Sequence, residues 1–264
     1  MQGRDHRHCR EAGKAYGQLS VVGTGPGGNE HLTEAARRAI AAADTVVGYQ
    51  AYLDLIPELI AGKEVSSSAM MQEVARCRLA LDLAEQGRRV ALVCGGDPGI
   101  YALAGLVLEL AAARESLVGI EVVPGLAALN SCAARLGAPL MHDFAAVSLS
   151  DLLTPWPLIE RRLSAAAQAD FVIVIYNPKS KRRVEQLGRA RELILAHRPP
   201  ATPVGVVTAA TRGDEAITIT SLGQLPEVEV GMRSTVIVGN SKTFRWRDFL
   251  VTPRGYADKY DLVG

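Results

Sequence analysis

The stretch RVALVCGGDPGIYALAGLVLELAAA, residues 89–113, decides the fold. Its first six residues are nearly all apolar and end at once in Gly95-Gly96. Such a run reads as a strand buried on both faces, because a half-exposed strand would alternate. The two glycines let the backbone approach a ligand closely. Asp97 can cap the next helix or accept ligand hydrogen bonds, and Pro98 pre-sets φ for a helix start. An apolar helix is expected over 100–113.

The same unit recurs on both sides. Residues 19–22 are a short apolar strand leading into GTGPGG (23–28), and 29–42 has helical spacing. A second strand lies at 45–48, and an amphipathic helix over 74–86 stops at Gly87. Residues 120–123 form a strand, followed by Pro124-Gly125 and a small-residue helix over 126–136. Strands separated by helices predict a mostly parallel sheet with helices on both faces. Beyond GAPLMHDF (137–144) the pattern changes. Strands are expected at 145–149, 171–176, 203–207, 216–220 and 234–238, with helices over 158–169 and 184–196. The last strands follow one another with few helices between, which predicts a mixed sheet. The chain is therefore α/β in two domains, 18–140 and 145–264, with 1–17 an extension expected to be poorly ordered.

Composition bounds the function. At 264 residues, 48% hydrophobic and 22% charged, the chain can bury two cores. A net charge of +1 gives no argument for nucleic acid. No apolar run approaches the ~18 residues of a membrane span. The first residues, MQGRDHRHCREAGKAYGQ, lack the apolar centre of a secretory signal, so a cytoplasmic location is expected. Cys9, Cys77, Cys94 and Cys132 form no C-x-x-C pair and read as reduced thiols, and no metal-ligand spacing appears.

Gly23, Gly25 and Gly28 satisfy G-x-G-x-x-G after a strand, the pattern of a dinucleotide loop. Two points oppose that reading. Pro26 has no N–H to offer a pyrophosphate, and the second strand ends in Gly48-Tyr49 where a ribose-binding acid should stand. A nicotinamide-dependent oxidoreductase is thus the weaker alternative. Further polar or small-residue loops follow strands at VVPGLAALN (122–130), SLSDLLTPW (148–156) and VIYNP (174–178). That edge of an α/β sheet is where ligands bind.

GTGPG, GGDPGIY, VVPG-x-x-A and YNP, in this order and spacing, resemble the tetrapyrrole methylases over residues 19 to about 250. HDFAAVSLSDLLTPW and VIYNPKSKRR resemble the branch that methylates ring carbon 17 of precorrin-3B, or of its cobalt-loaded equivalent, in cobalamin biosynthesis. The resemblance implies a two-domain methyltransferase with S-adenosyl-L-methionine in an interdomain cleft and S-adenosyl-L-homocysteine as product. It also implies a homodimer and a corrin-ring precursor, a tetrapyrrole polycarboxylate, as substrate. Carried over by motif position, the cofactor contacts fall on Gly95, Gly96, Asp97, Ile100, Ala127, Ala128, Asn177, Ala210 and Thr235. Ala127 stands where relatives often carry a hydroxyl, so its contact is expected through the backbone alone. Pro26 and Ser150 are expected to face the substrate.

Ring contraction accompanies methylation in this branch and releases a proton, which calls for a base. His142, Asp143 and Asp151 are the candidates, His142 having the most suitable ordinary pKa, ~6.5. Lys179, Lys181, Arg182 and Arg183 are expected in a first helical turn, where cations oppose the helix dipole unless carboxylates dock on them. Arg245 and Arg247 are weaker candidates for the same role.

Overall fold

The computed structural model describes residues 15–262. The chain divides into two compact units between Ala128 and Leu129, ahead of the 137–144 segment where the sequence pattern changes. Most of the 1–17 extension lies outside the described residues. Of its last members, Tyr16 packs against the first unit's core and the Gly17 N–H donates to the Ala84 carbonyl at 2.8 Å.

The first unit runs β1 (Gln18–Gly23), α1 (Glu34–Ala42), β2 (Thr45–Tyr49), α2 (Gln50–Leu53), α3 (Pro57–Ile60), β3 (Glu64–Ser68), α4 (Glu73–Glu85), β4 (Arg89–Cys94), α5 (Ala104–Ala113) and β5 (Gly119–Val123). Its five strands pair in the order β3-β2-β4-β1-β5, all parallel. The central strands are the continuous apolar runs, because both faces are covered. One face packs Leu19, Val21, Leu92 and Cys94 under α4 and α5. The other packs Val22, Val46 and Val93 under α1, with Leu53 and Ile56. A fully buried leucine such as Leu92 contributes about 1.5–3 kcal/mol.

Two expected helices, those over 29–42 and 100–113, start well after the position their periodicity suggests. Residues 29–42 split into a 3-10 turn, Asn29–His31, and α1, because Thr33 caps the helix with its Oγ accepting the Ala36 N–H at 3.0 Å. The helix expected over 100–113 begins at Ala104 instead, since Tyr101 sits at φ 52° and interrupts the helical turn.

The second unit contains α6 (Ala128–Leu136, its first residue on the other side of the division), β6 (Gly137–Ala138), β7 (Phe144–Ser148), α7 (Trp156–Gln168), β8 (Val172–Tyr176), α8 (Gln186–Leu195), β9 (Pro203–Thr208), β10 (Ala216–Ser221), β11 (Ser234–Val238), β12 (Phe244–Trp246) and β13 (Phe249–Val251). Its main sheet has the order β10-β9-β11-β8-β7, with only β7 and β8 parallel. Ile159, Leu163, Ile173, Ile175, Val204 and Val236 form its core under α7 and α8. On another side of the sheet Leu136 of α6 lies over Gly205, where a β-carbon would stand 2.3 Å from its methyl group. A small sheet, β12-β13-β6, completes the unit. No helix among the described residues is long and apolar enough to cross a membrane.

Candidate functional site

At the C-terminal edge of the first sheet, the turns after β1, β4 and β5 lock together, largely through their backbones. Thr24 donates from its N–H and its hydroxyl to the Cys94 carbonyl, at 2.9 and 3.1 Å. Gly25 and Gly96 exchange both peptide hydrogen bonds, at 3.1 and 2.8 Å. A β-carbon on Gly23 would stand 2.6 Å from the Gly96 carbonyl oxygen, and one on Gly125 would stand 2.1 Å from it. Only glycine permits three turns to meet this closely.

Asp97 ties this junction. Its Oδ1 accepts the Gly99 N–H at 2.8 Å and its Oδ2 accepts the Gly125 N–H at 3.1 Å. It therefore bridges the β4 and β5 turns and does not cap α5, which has no side-chain cap. Gly95, Gly96, Asp97, Ala127 and Ala128 come together here. A β-carbon on Gly96 would meet nothing nearer than the Ala128 nitrogen at 3.8 Å and the Ala127 Cα at 3.9 Å. Around Gly96 the wall carries only the methyls of Ala127 and Ala128 beside the Asp97 carboxylate, which leaves room for a flat group against the main chain, whereas Gly95 lies under the Tyr52 ring. Ile100 is half-buried beyond the same turn, and Pro26 is buried in the loop after β1.

The same geometry gives the dinucleotide reading no support. The Gly25 N–H and C=O are paired with Gly96, so they offer nothing to a pyrophosphate. The following α-helix does not begin until Glu34.

In the second unit, Asn177 follows β8 with φ 50°, and its amide donates to the Ser148 Oγ at 2.9 Å. The Ser148 Oγ also accepts the Ser150 N–H at 3.2 Å, which joins the ends of β7 and β8. The Tyr176 hydroxyl accepts the Leu129 N–H at 2.8 Å, in the first turn of α6. Ala210 and Thr235 are both buried, Ala210 between Ala209 and Thr211, which both have positive φ.

His142, Asp143 and Asp151 lie around β7. The His142 Nδ1 accepts the Asp143 N–H at 2.8 Å, which leaves the proton of the neutral ring on Nε2. The Asp143 carboxylate is exposed, 3.7 Å from His142, and Asp151 accepts from the Gln186 amide at 3.1 Å.

The basic turn departs from expectation. Residues 179–183 precede α8, which begins at Gln186, so no dipole argument applies to them. Ser180 and Arg183 close the loop on each other, at 2.9 Å from the Ser180 N–H to the Arg183 carbonyl and 3.0 Å from the Arg183 N–H to the Ser180 Oγ. The Arg183 side chain donates to the Asn177 carbonyl at 3.0 and 3.2 Å, while Lys181 and Arg182 are exposed and Lys179 is half-buried. Arg247 stacks over Trp246 at 4.7 Å, and the Arg245 Nε donates to the Arg247 carbonyl at 2.7 Å.

The described cysteines are free thiols in the cores. Burial pushes Cys94 up to about 12 and Cys77 up to about 11, so neither is a nucleophile near neutrality.

Sequence reasoning missed Tyr52, Tyr176 and Ser148. Tyr52 covers Gly95, whose β-carbon would stand 2.6 Å from its ring. The available signal for Tyr176 and Ser148 was position, since they end β8 and β7; Tyr52 lies in the short α2 after β2 and gave none.

The chain is similar to known proteins along most of its length. Residues 18–226 match the model of the Tetrapyrrole (Corrin/Porphyrin) Methylases. The chain is 48% identical to a probable cobalt-factor III C(17)-methyltransferase of Salmonella typhimurium, covering 90% of this chain and 99% of that one. It is 42% identical to the precorrin-3B C(17)-methyltransferase of a Sinorhizobium species, covering 91% and 98%. It is also 48% identical to a cobalt-factor III methyltransferase of Priestia megaterium, but spans only 46% of that protein's length. The crystal structure of the methyltransferase CobJ superposes with a TM-score of 0.84 at 35% identity, over 90% of this chain and all of that one. A uroporphyrin-III C-methyltransferase from Thermus thermophilus, solved with S-adenyl homocysteine, gives 0.68 at 29% identity, over 84% and 97%. The chain belongs to the tetrapyrrole methylases.

Proposed function

We propose that this chain transfers a methyl group from S-adenosyl-L-methionine to carbon 17 of a corrin-ring precursor in cobalamin biosynthesis. The substrate is precorrin-3B or its cobalt-loaded counterpart, cobalt-factor III. The observation that carries the reading is the glycine junction of Gly23, Gly96 and Gly125, beside a wall of Gly95, Asp97, Ala127 and Ala128. The names of full-length relatives support carbon 17 as the target, and they divide over the metal.

The bound cofactor supplies the methyl group; the protein positions it and excludes water. Gly96, Ala127 and Ala128 offer close main-chain approach, Gly95 stands beside them under the Tyr52 ring, and Asp97 holds their two turns together. Ile100, Asn177, Ala210 and Thr235 complete the proposed cofactor set. Pro26 and Ser150 face the macrocycle, and Lys179, Lys181, Arg182 and Arg183 meet its carboxylates. As the ring contracts, a hydroxyl proton leaves to a base drawn from His142, Asp143 and Asp151. His142 takes that proton at Nδ1 only after releasing the Asp143 N–H.

The test is incubation with S-adenosylmethionine and either substrate, the products being weighed by mass spectrometry. Gain of one methyl group on one substrate alone identifies it; no methylation of either ends the proposal. The same assay on His142→Ala reads the base, since normal turnover removes His142 from that role.

A further inference from the structure

One buried cation of the first unit lacks the counter-ion that burial normally demands. Arg76, at the end of the first turn of α4, is 5% exposed. Its Nε donates to the Ser68 Oγ at 2.6 Å and its Nη2 to the Ala69 carbonyl at 2.9 Å, both neutral oxygens. Its guanidinium also lies over the Tyr49 ring at 5.9 Å. Among the described residues no carboxylate pairs with it. Nη1 has no protein acceptor among them and is not sealed from solvent, so it is the open end of the group.

A structural role alone does not explain this arrangement. A guanidinium this buried is held by neutral oxygens and a ring with no carboxylate opposite, and a cation in a first helical turn opposes the dipole. Arg198, the other buried arginine among the described residues, shows what a structural one looks like. It donates to the Gly239, Ala167 and Phe171 carbonyls and has Asp170 at 3.3 Å. Arg76 keeps donors in reserve.

Its position gives those donors a use. Tyr52 covers Gly95 of the β4 turn, and Tyr49 meets Tyr52 edge-on at 5.4 Å. Arg76 lies over Tyr49 and reaches Ser68 at the end of β3. A continuous strip thus runs along the C-terminal edge of the first sheet, from the glycine junction to Arg76. Met70 and Met71 are exposed just beyond Ser68, and Tyr101 is exposed beyond the β4 turn. Apolar surface ending in a guanidinium suits a macrocycle with acid side chains.

We propose that Arg76 anchors a carboxylate of the tetrapyrrole substrate and so sets the macrocycle's register along this edge. The assignment rests on the methyl-transfer reading and names one contact within it. In Arg76→Met the KM for the tetrapyrrole rises about tenfold or more, as expected for a lost charge-assisted hydrogen bond, with kcat little changed. The affinity for S-adenosylhomocysteine, by calorimetry, stays at the wild-type value. Ser68→Ala, which loosens the same loop but keeps the cation, retains a near-normal KM.

If Arg76→Met does not fold, Arg76→Lys serves, compared with wild type on the substrate and on its methyl ester. Its defect vanishes on the ester, which has no carboxylate to lose. An unchanged KM in an active Arg76→Met protein overturns the assignment, as does an equal rise in Ser68→Ala or an equal Arg76→Lys defect on the ester. Weaker S-adenosylhomocysteine binding with unchanged KM puts the carboxylate on the cofactor and also overturns it. A wild-type chain that methylates neither substrate sinks the underlying reading instead.

Discussion

A methyl group at position 125 has nowhere to go. The Gly96 carbonyl oxygen stands 2.1 Å from where it would be, and the Gly23 carbonyl carbon stands 2.8 Å away. Both obstacles are main chain, so relief requires the β4 and β1 turns to part. Gly125→Ala is expected to cost about 3 kcal/mol or more in urea unfolding and to abolish S-adenosylhomocysteine binding in calorimetry. Gly105→Ala is the control. Its β-carbon meets nothing within 4 Å in α5, so it stabilises by up to ~1 kcal/mol and leaves binding intact. At this scale the sequence is legible as motif and opaque as partnership. GTGPG, GGDPG and PG each announce a turn, since few other residues tolerate the geometry. That Gly25 pairs with Gly96, or that Asp97 serves Gly125, depends on strand order. Arg76 was illegible for a related reason: an arginine in a helix reads as solvated until its neighbours are known.

Elements differ in how plainly they declare themselves. The strands buried on both faces, β1, β4, β8 and β11, lie within a residue of where their apolar runs place them. The missed ones share a cause. β3 is EVSSS, an edge strand with little burial, and the β12–β13 hairpin holds exposed Phe244, Trp246 and Phe249 over a very short span. Where a strand has one neighbour or little core behind it, burial imprints no period on its residues. Helix starts were misplaced where a local bond or a positive φ overrides periodicity, as at Thr33 and Tyr101. One junction between elements is open to titration. The Glu215 carboxylate, just before β10, accepts the Thr211 N–H at 2.6 Å and the Arg135 Nε of α6 at 2.8 Å. The Thr211 N–H first, then the Arg135 guanidinium, hold its pKa below the ordinary 4.5. A lowered folded pKa gives stability that is whole above the unfolded value and is lost as pH falls through the folded one. The melting temperature should therefore drop as pH goes below about 4.5, and Glu215→Gln should flatten that acid limb in a pH series of thermal melts.

At the scale of the whole molecule, two units carry separate cores, one around a parallel sheet and one around a mixed sheet. The fold class was legible because continuous apolar strands separated by helices permit few other arrangements. A ligand that binds only the folded chain must stabilise it by mass action. S-adenosylhomocysteine at a hundred times its Kd should add about 2.7 kcal/mol, a rise of several degrees in differential scanning fluorimetry. NAD at the same concentration should leave the melt unmoved, and an equal rise would reopen the dinucleotide reading. The strand order also governs how the chain is born. β1 is made first but lies between β4 and β5, the latter about a hundred residues later. At a ribosomal pace of ~5–20 residues per second, its apolar edges wait on the order of ten seconds for their neighbours. A nascent chain arrested before residue 119 would thus hold the backbone edge of β1 that β5 later pairs open to whatever chaperone guards the exit tunnel.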